Sequence, residues 1–210
     1  MRVYHFTKAS HGLSAIRDKR LKVARLDEIN DPFEFLGVDL SNQHFRKVLT
    51  ETKRELSKTK GLLCFCRSWR HPLLWAHYAD KHRGVCLGLD VSDSTLEQVR
   101  YVNSRFTADG EALSEALVQK LLYTKFAHWS YEDEYRVYVQ LDEEEQGLYF
   151  VSFGQGMVLR EVIVGHECAL TRDDIATAFG DHERDVSRFK VRPAFRSFRM
   201  VRQKRDRMWA

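Results

Sequence analysis

Residues 128–139, HWSYEDEYRVYV, place three consecutive carboxylates directly before a run of residues that is typical of a strand. Because alternate side chains of a strand share a face, the pattern puts Glu132 and Glu134 together, with Arg136 following them. Two carboxylates at this spacing repel each other, which raises the pKa of at least one of them. The stretch therefore predicts a strand with one charged face. Its carboxylates either exchange protons or form ion pairs with Lys125, Arg136 or another arginine.

Length and composition predict one α+β domain that covers residues 1–210. The chain has 210 residues, of which 43% are hydrophobic, and this is enough to bury a core. The formal net charge is +4, and the charge is concentrated in a basic C-terminal end, residues 184–210, with ten Lys or Arg against two Asp. Such an end can meet nucleic-acid phosphates, although a terminal charge run is also commonly just solvated.

No apolar run approaches the length of about 20 residues that a membrane-spanning helix needs, and residues 1–12 lack the apolar segment of a secretory signal. We therefore expect a cytoplasmic protein without a membrane partner. Cys64, Cys66 and Cys86 are expected to be reduced, buried and without metal. A zinc site built with nearby histidines is the open alternative, although the spacing matches no usual ligand pattern.

Hydrophobic periodicity predicts strands and helices in alternation. The predicted strands cover residues 2–7, 61–69, 83–91, 134–139, 147–153 and 159–165. A short strand that runs into a turn is predicted within residues 21–35, and two short strand-like pieces are predicted within residues 188–203. The predicted helices cover residues 8–21 with Ser10 as N-cap, 42–60, 71–82 with Pro72 in the first turn, 111–127 and 171–179. Long apolar βαβ units are missing, which favours a compact α+β domain with two small mixed sheets and peripheral helices.

Four blocks of the sequence carry polar residues that a purely structural chain would not need. They are YHFT at 4–7, NDPFE at 30–34, LLWAHYADKHRG at 73–84 and WSYEDEYR at 129–136. Their combination resembles a family of mostly bacterial proteins catalogued as domain of unknown function 2971. The resemblance runs from His5 to about Gly165 and implies no particular activity.

A second, more distant resemblance is to the ADP-ribosyltransferase superfamily, and it implies that NAD is a substrate. It rests on a His-x-Thr near the first strand, an aromatic-rich middle and a carboxylate that opens a late strand. By this likeness, His5 would contact the nicotinamide-side ribose, and Tyr78 or Trp75 would stack on nicotinamide. Glu134 would be the catalytic acid, and Glu132 would be the first member of a Glu-x-Glu pair.

The chemistry of such a transfer suits these side chains. Cleavage between nicotinamide and ribose develops oxocarbenium character, which a fixed carboxylate stabilises, and a second carboxylate can accept a proton. Thr7 shares a strand face with His5. Arg25 and Arg67 lie at predicted strand ends, where arginine can clamp a pyrophosphate, although surface ion pairs are the alternative role. We expect His5 and Glu134 to converge on one cleft.

Each candidate also has a structural interpretation. His5 is an ordinary hydrogen-bonded packing residue in that interpretation, and NDPFE is a turn. Trp75 and Tyr78 are core residues at helical spacing, whereas a binding role predicts that both are only partly buried.

Three functions therefore remain open. The first is an NAD-dependent ADP-ribosyltransferase-like enzyme that modifies a protein or nucleic acid in bacterial conflict or stress. The second is a non-catalytic nucleotide or nucleic-acid binding module, and the third is a metal-dependent nuclease that uses Asp31, Glu34 and Glu134. The sequence has no Gly-rich phosphate loop, dinucleotide-binding fingerprint or Gly-x-Ser-x-Gly, which argues against ordinary nucleotide hydrolases, dehydrogenases and serine hydrolases.

Overall fold

The computed structural model describes residues 1–107, 113–180 and 185–209, and the chain divides into two compact units. Unit 1 consists of Met1–Leu21, Phe65–Ser94 and Val151–Ala210, and unit 2 consists of Lys22–Cys64 and Thr95–Phe150. The chain contains both helices and strands, and the strands form parallel and antiparallel pairs, which confirms the predicted α+β class. The single domain over residues 1–210 stays a prediction.

Most strands and helices lie within the predicted segments, but β6 and β7 were not predicted and β8 lies inside the predicted helix 111–127. The strands are β1 Arg2–Thr7, β2 Arg20–Lys22, β3 Ala24–Arg25, β4 Lys60–Cys66, β5 Val85–Val91, β6 Glu97–Gln98, β7 Arg100–Val102, β8 Thr124–Phe126, β9 Glu134–Gln140, β10 Phe150–Ser152, β11 Met157–Val164, β12 Ser187–Pro193 and β13 Met200–Arg202. The helices are α1 Ala9–Arg17, α2 Gln43–Thr59, α3 Pro72–Tyr78, α4 Glu115–Leu122 and α5 Arg172–Phe179.

Unit 1 is built on a mixed sheet with the strand order β13-β12-β11-β5-β1. The pair β11–β12 is parallel, and the other pairs in this order are antiparallel. Strand β5 is an apolar run with six of its seven residues buried. It is an interior strand of the sheet, with β1 on one side and β11 on the other.

The helices of unit 1 begin where local chemistry allows. Thr171 and Asp174 form a reciprocal capping box at the start of α5. Pro72 occupies the first turn of α3, where its missing N–H costs nothing. The predicted N-cap Ser10 is wrong, because α1 starts at Ala9 and its N-cap is Lys8, which makes no side-chain cap.

Unit 2 contains the antiparallel pairs β3–β4 and β6–β9 and the parallel pair β7–β8. Asn42 caps α2 and Ser114 caps α4, each by accepting a backbone N–H with its side chain. The two helices help to enclose one apolar cluster, which consists of Leu26, Phe35, Val38, Leu49, Leu62, Leu117, Leu121 and Leu122.

The predicted helix 111–127 is too long. Residues 111 and 112 lie outside the described residues, α4 ends at Leu122, and the chain then enters β8. A short 3-10 helix, Ala127–Glu132, follows β8 and leads into β9. Among the described residues, no helix has the length and apolar character that a membrane crossing requires.

Candidate functional site

Five ionisable side chains form a buried charge network inside unit 2. Each is at most 7% exposed, and the set consists of Glu34, Lys125, Glu132, Glu134 and Arg136. Buried charges are costly unless they are paired and hydrogen-bonded, so the contacts of each one decide whether the network is stable.

Arg136 is the centre of this network. Its Nη1 and Nη2 donate to the two oxygens of Glu34 at 2.5 and 3.0 Å, and its Nε and Nη2 donate to the two oxygens of Glu134 at 2.8 and 3.1 Å. Nη1 also donates to the carbonyl of Leu122 at 2.6 Å. Five hydrogen bonds use the planar guanidinium fully, which is why an arginine can be completely buried here.

Lys125 joins the two carboxylates from HWSYEDEYRVYV. Its Nζ donates to Glu132 at 2.5 Å and to Glu134 at 3.1 Å, and it lies 4.9 Å from the ring centre of Trp129. Burial lowers the pKa of Lys125, but attraction to Glu134 and Glu132 outweighs burial and leaves that pKa raised. The ammonium is therefore charged at neutral pH, and it separates two carboxylates that would otherwise repel.

The pKa of Glu134 moves in the direction opposite to the expectation from repulsion. Burial alone would raise it, but Arg136 and Lys125, together with hydrogen bonds from Arg136 and Cys64, lower the pKa to about 2. Sequence spacing reveals the like charge two residues away but not the two cations. Glu134 is consequently ionised at neutral pH and is not poised to exchange a proton.

The local backbone also differs from a plain strand. Glu132 ends the 3-10 helix, and Asp133 adopts the left-handed conformation with φ 43° before β9 begins at Glu134. This turn directs Asp133 to an exposed hydrogen bond from Gln98 at 2.9 Å, while Glu132 and Glu134 are both buried. The prediction that Glu132 shares the strand is wrong, whereas the alternative that both glutamates form ion pairs is confirmed. Their catalytic role stays a prediction.

His5 and Thr7 lie on β1 in unit 1, where both are half-buried. The ring of His5 meets Phe65 edge-on with centroids 6.0 Å apart, and Thr7 lies opposite Val85 in the β1–β5 ladder. These contacts agree with the packing interpretation. Convergence of His5 with Glu134, which belongs to unit 2, stays a prediction.

Trp75 and Tyr78 differ in burial. Trp75 is completely buried, its Nε1 donates to the carbonyl of Trp69 at 2.6 Å, and its ring meets Phe6 edge-on at 5.2 Å. Tyr78 is half-buried. The expected partial burial is therefore wrong for Trp75, because its indole fills the core of unit 1. Stacking on nicotinamide stays a prediction.

The two arginines predicted to clamp a pyrophosphate belong to different units. The side chain of Arg25 is exposed on unit 2 and forms an ion pair with Asp27 at 2.8 Å. Arg67 is exposed in unit 1, and its Nη1 donates to the carbonyl of Arg2 at 3.3 Å. The surface-pair alternative is confirmed for Arg25, and phosphate binding by either side chain stays a prediction.

The carboxylates proposed for a metal-dependent nuclease have other partners. Glu34 binds Arg136, and one oxygen of Asp31 accepts the N–H of Phe33 at 2.9 Å within the NDPFE turn. In the described part of the chain, no group of three or more His, Cys, Asp or Glu side chains is arranged to hold a metal ion. Cys66 and Cys86 are buried thiols outside any disulfide, whereas Cys64 is only half-buried as a residue. Burial raises the pKa of Cys64 and of Cys86.

A basic hairpin surface lies on unit 1, where β12 returns as β13. We define it by the cations Arg70, Arg192, Arg196, Arg202 and Lys204 and the aromatics Phe195 and Phe198. Phe195 is 88% exposed and Phe198 is 100% exposed. The sequence indicated the positive charge of this segment, but it did not distinguish aromatic side chains that pack inward from those that point to solvent.

One main-chain hydrogen bond closes the hairpin, and a second attaches it to the segment before α3. The N–H of Ala194 donates to the carbonyl of Arg199 at 2.9 Å, and the N–H of Met200 donates to the carbonyl of Arg70 at 2.8 Å. The cations and the cleft of about 480 Å³ that they border are therefore presented on a defined backbone.

Comparison with known proteins gave no match among family models, curated proteins or solved structures. The resemblances to domain of unknown function 2971 and to the ADP-ribosyltransferase superfamily therefore stay predictions.

Proposed function

We propose that the protein binds single-stranded nucleic acid, without chemically changing it, through the basic hairpin surface of unit 1. The observation that carries the proposal is the presence of two almost fully exposed phenylalanines among five cationic side chains. Proteins that bind single strands combine these two elements, because cations attract phosphates while aromatic rings stack on unpaired bases.

The cations of this surface are available to an external anion. None of the five forms an ion pair with a carboxylate among the side chains that the structure describes, and no Asp or Glu borders the cleft. Arg192 lies 4.2 Å from the ring centre of Phe195, which keeps its guanidinium beside an aromatic face. Phosphates can therefore bind to these cations without first displacing a described carboxylate.

The exposed rings favour a single strand over a duplex. Paired bases are stacked on one another inside a duplex, so they offer no free face to Phe195 or Phe198. Unpaired bases can stack on both, at an average worth of about 1 to 3 kcal/mol for each base. A duplex would contact the cations alone and would bind more weakly.

Fluorescence anisotropy with a labelled oligothymidylate, at several salt concentrations, tests the proposal. Phe198→Ala should weaken binding by about tenfold at constant salt. Arg196→Gln combined with Arg202→Gln should weaken it and should reduce the slope of log affinity against log salt by about 0.7 for each lost phosphate contact.

The matched controls are Leu73→Ala and Arg17→Gln, which change an exposed apolar residue and an exposed cation elsewhere in unit 1. Both should bind like the parent protein. Absence of binding at low salt, tighter binding of a duplex than of the single strand, or equal losses in the control variants would each refute the proposal.

A further inference from the structure

Unit 2 contains a small cleft of about 280 Å³ with a mostly apolar lining. The lining residues come from the NDPFE turn and the residues just after it, from β7 with the segment after it, and from β8. They are Phe33, Leu36, Gly37, Val102, Asn103, Ser104, Arg105, Thr124, Lys125 and Phe126. None of them belongs to the basic hairpin surface.

Two aromatic walls of the cleft remain accessible. Phe33 is 54% exposed and Phe126 is 42% exposed, although both border the same cavity. His128 stacks on one face of Phe126, with ring centroids 4.6 Å apart and planes 12° from parallel. The stack holds the phenyl ring in place, so this wall is preformed for a flat apolar group.

The charged residues described in the lining are all positive. Among the described residues that line the cleft there are two cations, Lys125 and Arg105, and no Asp or Glu. Lys125 is buried and already neutralised by Glu132 and Glu134, which fixes it in the cleft wall. Arg105 is exposed and lies 5.6 Å from the ring centre of Phe33. It attracts the exposed carboxylate of Asp39, but no described carboxylate forms a direct ion pair with it. Arg105 is therefore the group that can receive an anion.

We propose that this cleft binds a small planar aromatic anion, with the ring against Phe33 and Phe126 and the carboxylate or phosphate on Arg105. The volume supports a ligand with one ring system, because drug-sized ligands occupy pockets of about 300 to 1,000 Å³. A guanidinium pairs with either anion through two parallel hydrogen bonds, so the same site chemistry accepts both.

Two pairs of probes test the ligand class by NMR titration of the intact protein. Benzoate is compared with benzamide, and uridine monophosphate with uridine, so that each pair keeps the ring and loses the charge. We expect saturable shifts of the backbone amides of Gly37, Arg105 and Phe126 with at least one anion. Its neutral counterpart should bind at least about tenfold more weakly. The tighter of the two anions identifies the source as a carboxylate or a phosphate.

Variants assign the binding to the named side chains. Arg105→Gln should weaken the anion by about tenfold while leaving its neutral counterpart unchanged, and Phe126→Ala should weaken both. Arg54→Gln, an exposed cation on α2 in the same unit, is the control and should change neither.

The proposal is overturned if no probe saturates, if benzamide binds as tightly as benzoate and uridine as tightly as its monophosphate, or if the shifts map outside the cleft. Shifts confined to the basic hairpin surface would contradict the proposal for the cleft but not the proposal for that surface. Conversely, variants of that hairpin should leave benzoate binding intact, so the two proposals fail separately.

Discussion

Arg136 holds Glu34 in a two-point ion pair inside unit 2, although the two residues are 102 positions apart in the chain. Glu34 belongs to NDPFE and Arg136 to WSYEDEYR, so two of the four polar sequence blocks meet in one buried contact. The other two blocks meet in unit 1, where Gly84 of LLWAHYADKHRG packs against the carbonyl of Thr7 of YHFT. Glu34 and Arg136 therefore have a structural role that joins two of the blocks, and Gly84 has one that joins the other two.

Removal of Arg136 should destabilise the protein strongly. Arg136→Leu leaves Glu34 and Glu134 buried without their main cation, and breaking a buried pair in this way costs about 3 to 5 kcal/mol. Urea denaturation at neutral pH measures this loss. Arg54→Gln removes an exposed arginine from the same unit and should change the free energy of unfolding by less than about 0.5 kcal/mol. A loss below about 1 kcal/mol in Arg136→Leu would contradict the role of this network.

The lowered pKa of Glu134 predicts a specific dependence of stability on pH. The pKa falls from an ordinary value of 4.5 to about 2 in the folded protein. The ionised carboxylate therefore stabilises the fold fully above about pH 5, and this contribution of about 3 kcal/mol is lost as the pH falls towards 2. Urea unfolding of the parent and Glu134→Gln should differ most at pH 7 and progressively less in acid. A difference that is constant from pH 7 to pH 2 would show that this charge is not the cause.

The same variant separates the transferase hypothesis from the structural role of Glu134. If Glu134 acts on NAD, nicotinamide release by Glu134→Gln should fall by about a hundredfold for each folded molecule. If it is only a partner of Arg136 and Lys125, the folded fraction falls and release per folded molecule does not change. Release of nicotinamide and the folded fraction are measured on one sample, so the two effects are not confused.

Local patterns were sufficient for most of the fold. Apolar runs and caps identified β5 and α5, and Pro72 marked the start of α3, because these signals depend on neighbours in the sequence. The charge network was only partly predictable. Repulsion between Glu132 and Glu134 follows from spacing, but the position of Lys125 between them depends on the left-handed turn at Asp133. Long-range contacts of this kind are set by tertiary packing, which also buries Trp75 although its helical spacing suits a binding wall equally well.

Tyr101 provides a test of how the backbone enters β9. Its hydroxyl oxygen accepts the N–H of Glu134 at 2.9 Å, next to the buried charges. Tyr101→Phe leaves this N–H without its partner, and we expect a loss of about 1 to 2 kcal/mol in the free energy of unfolding. Tyr149→Phe removes an exposed hydrogen bond to Glu144 and serves as the control, with almost no change expected. Equal effects of the two changes would mean that the hydroxyl of Tyr101 is replaceable by water.

Gly84 provides the corresponding test in unit 1, because there is no space for a side chain at this position. A Cβ atom on Gly84 would lie 2.1 Å from the carbonyl oxygen of Thr7 and 2.9 Å from the backbone of Ala79. Both neighbours are main-chain atoms that cannot rotate away, so Gly84→Ala must displace β1 or the end of α3 and should cost about 2 to 3 kcal/mol. The control is Gly154→Ala in the same unit, where nothing lies within 4 Å of the added Cβ. That variant should unfold like the parent or be up to about 1 kcal/mol more stable, because alanine restricts the unfolded chain. Thermal and urea unfolding of the two variants measure the difference. If Gly84→Ala is as stable as Gly154→Ala, the contact between YHFT and LLWAHYADKHRG is not close.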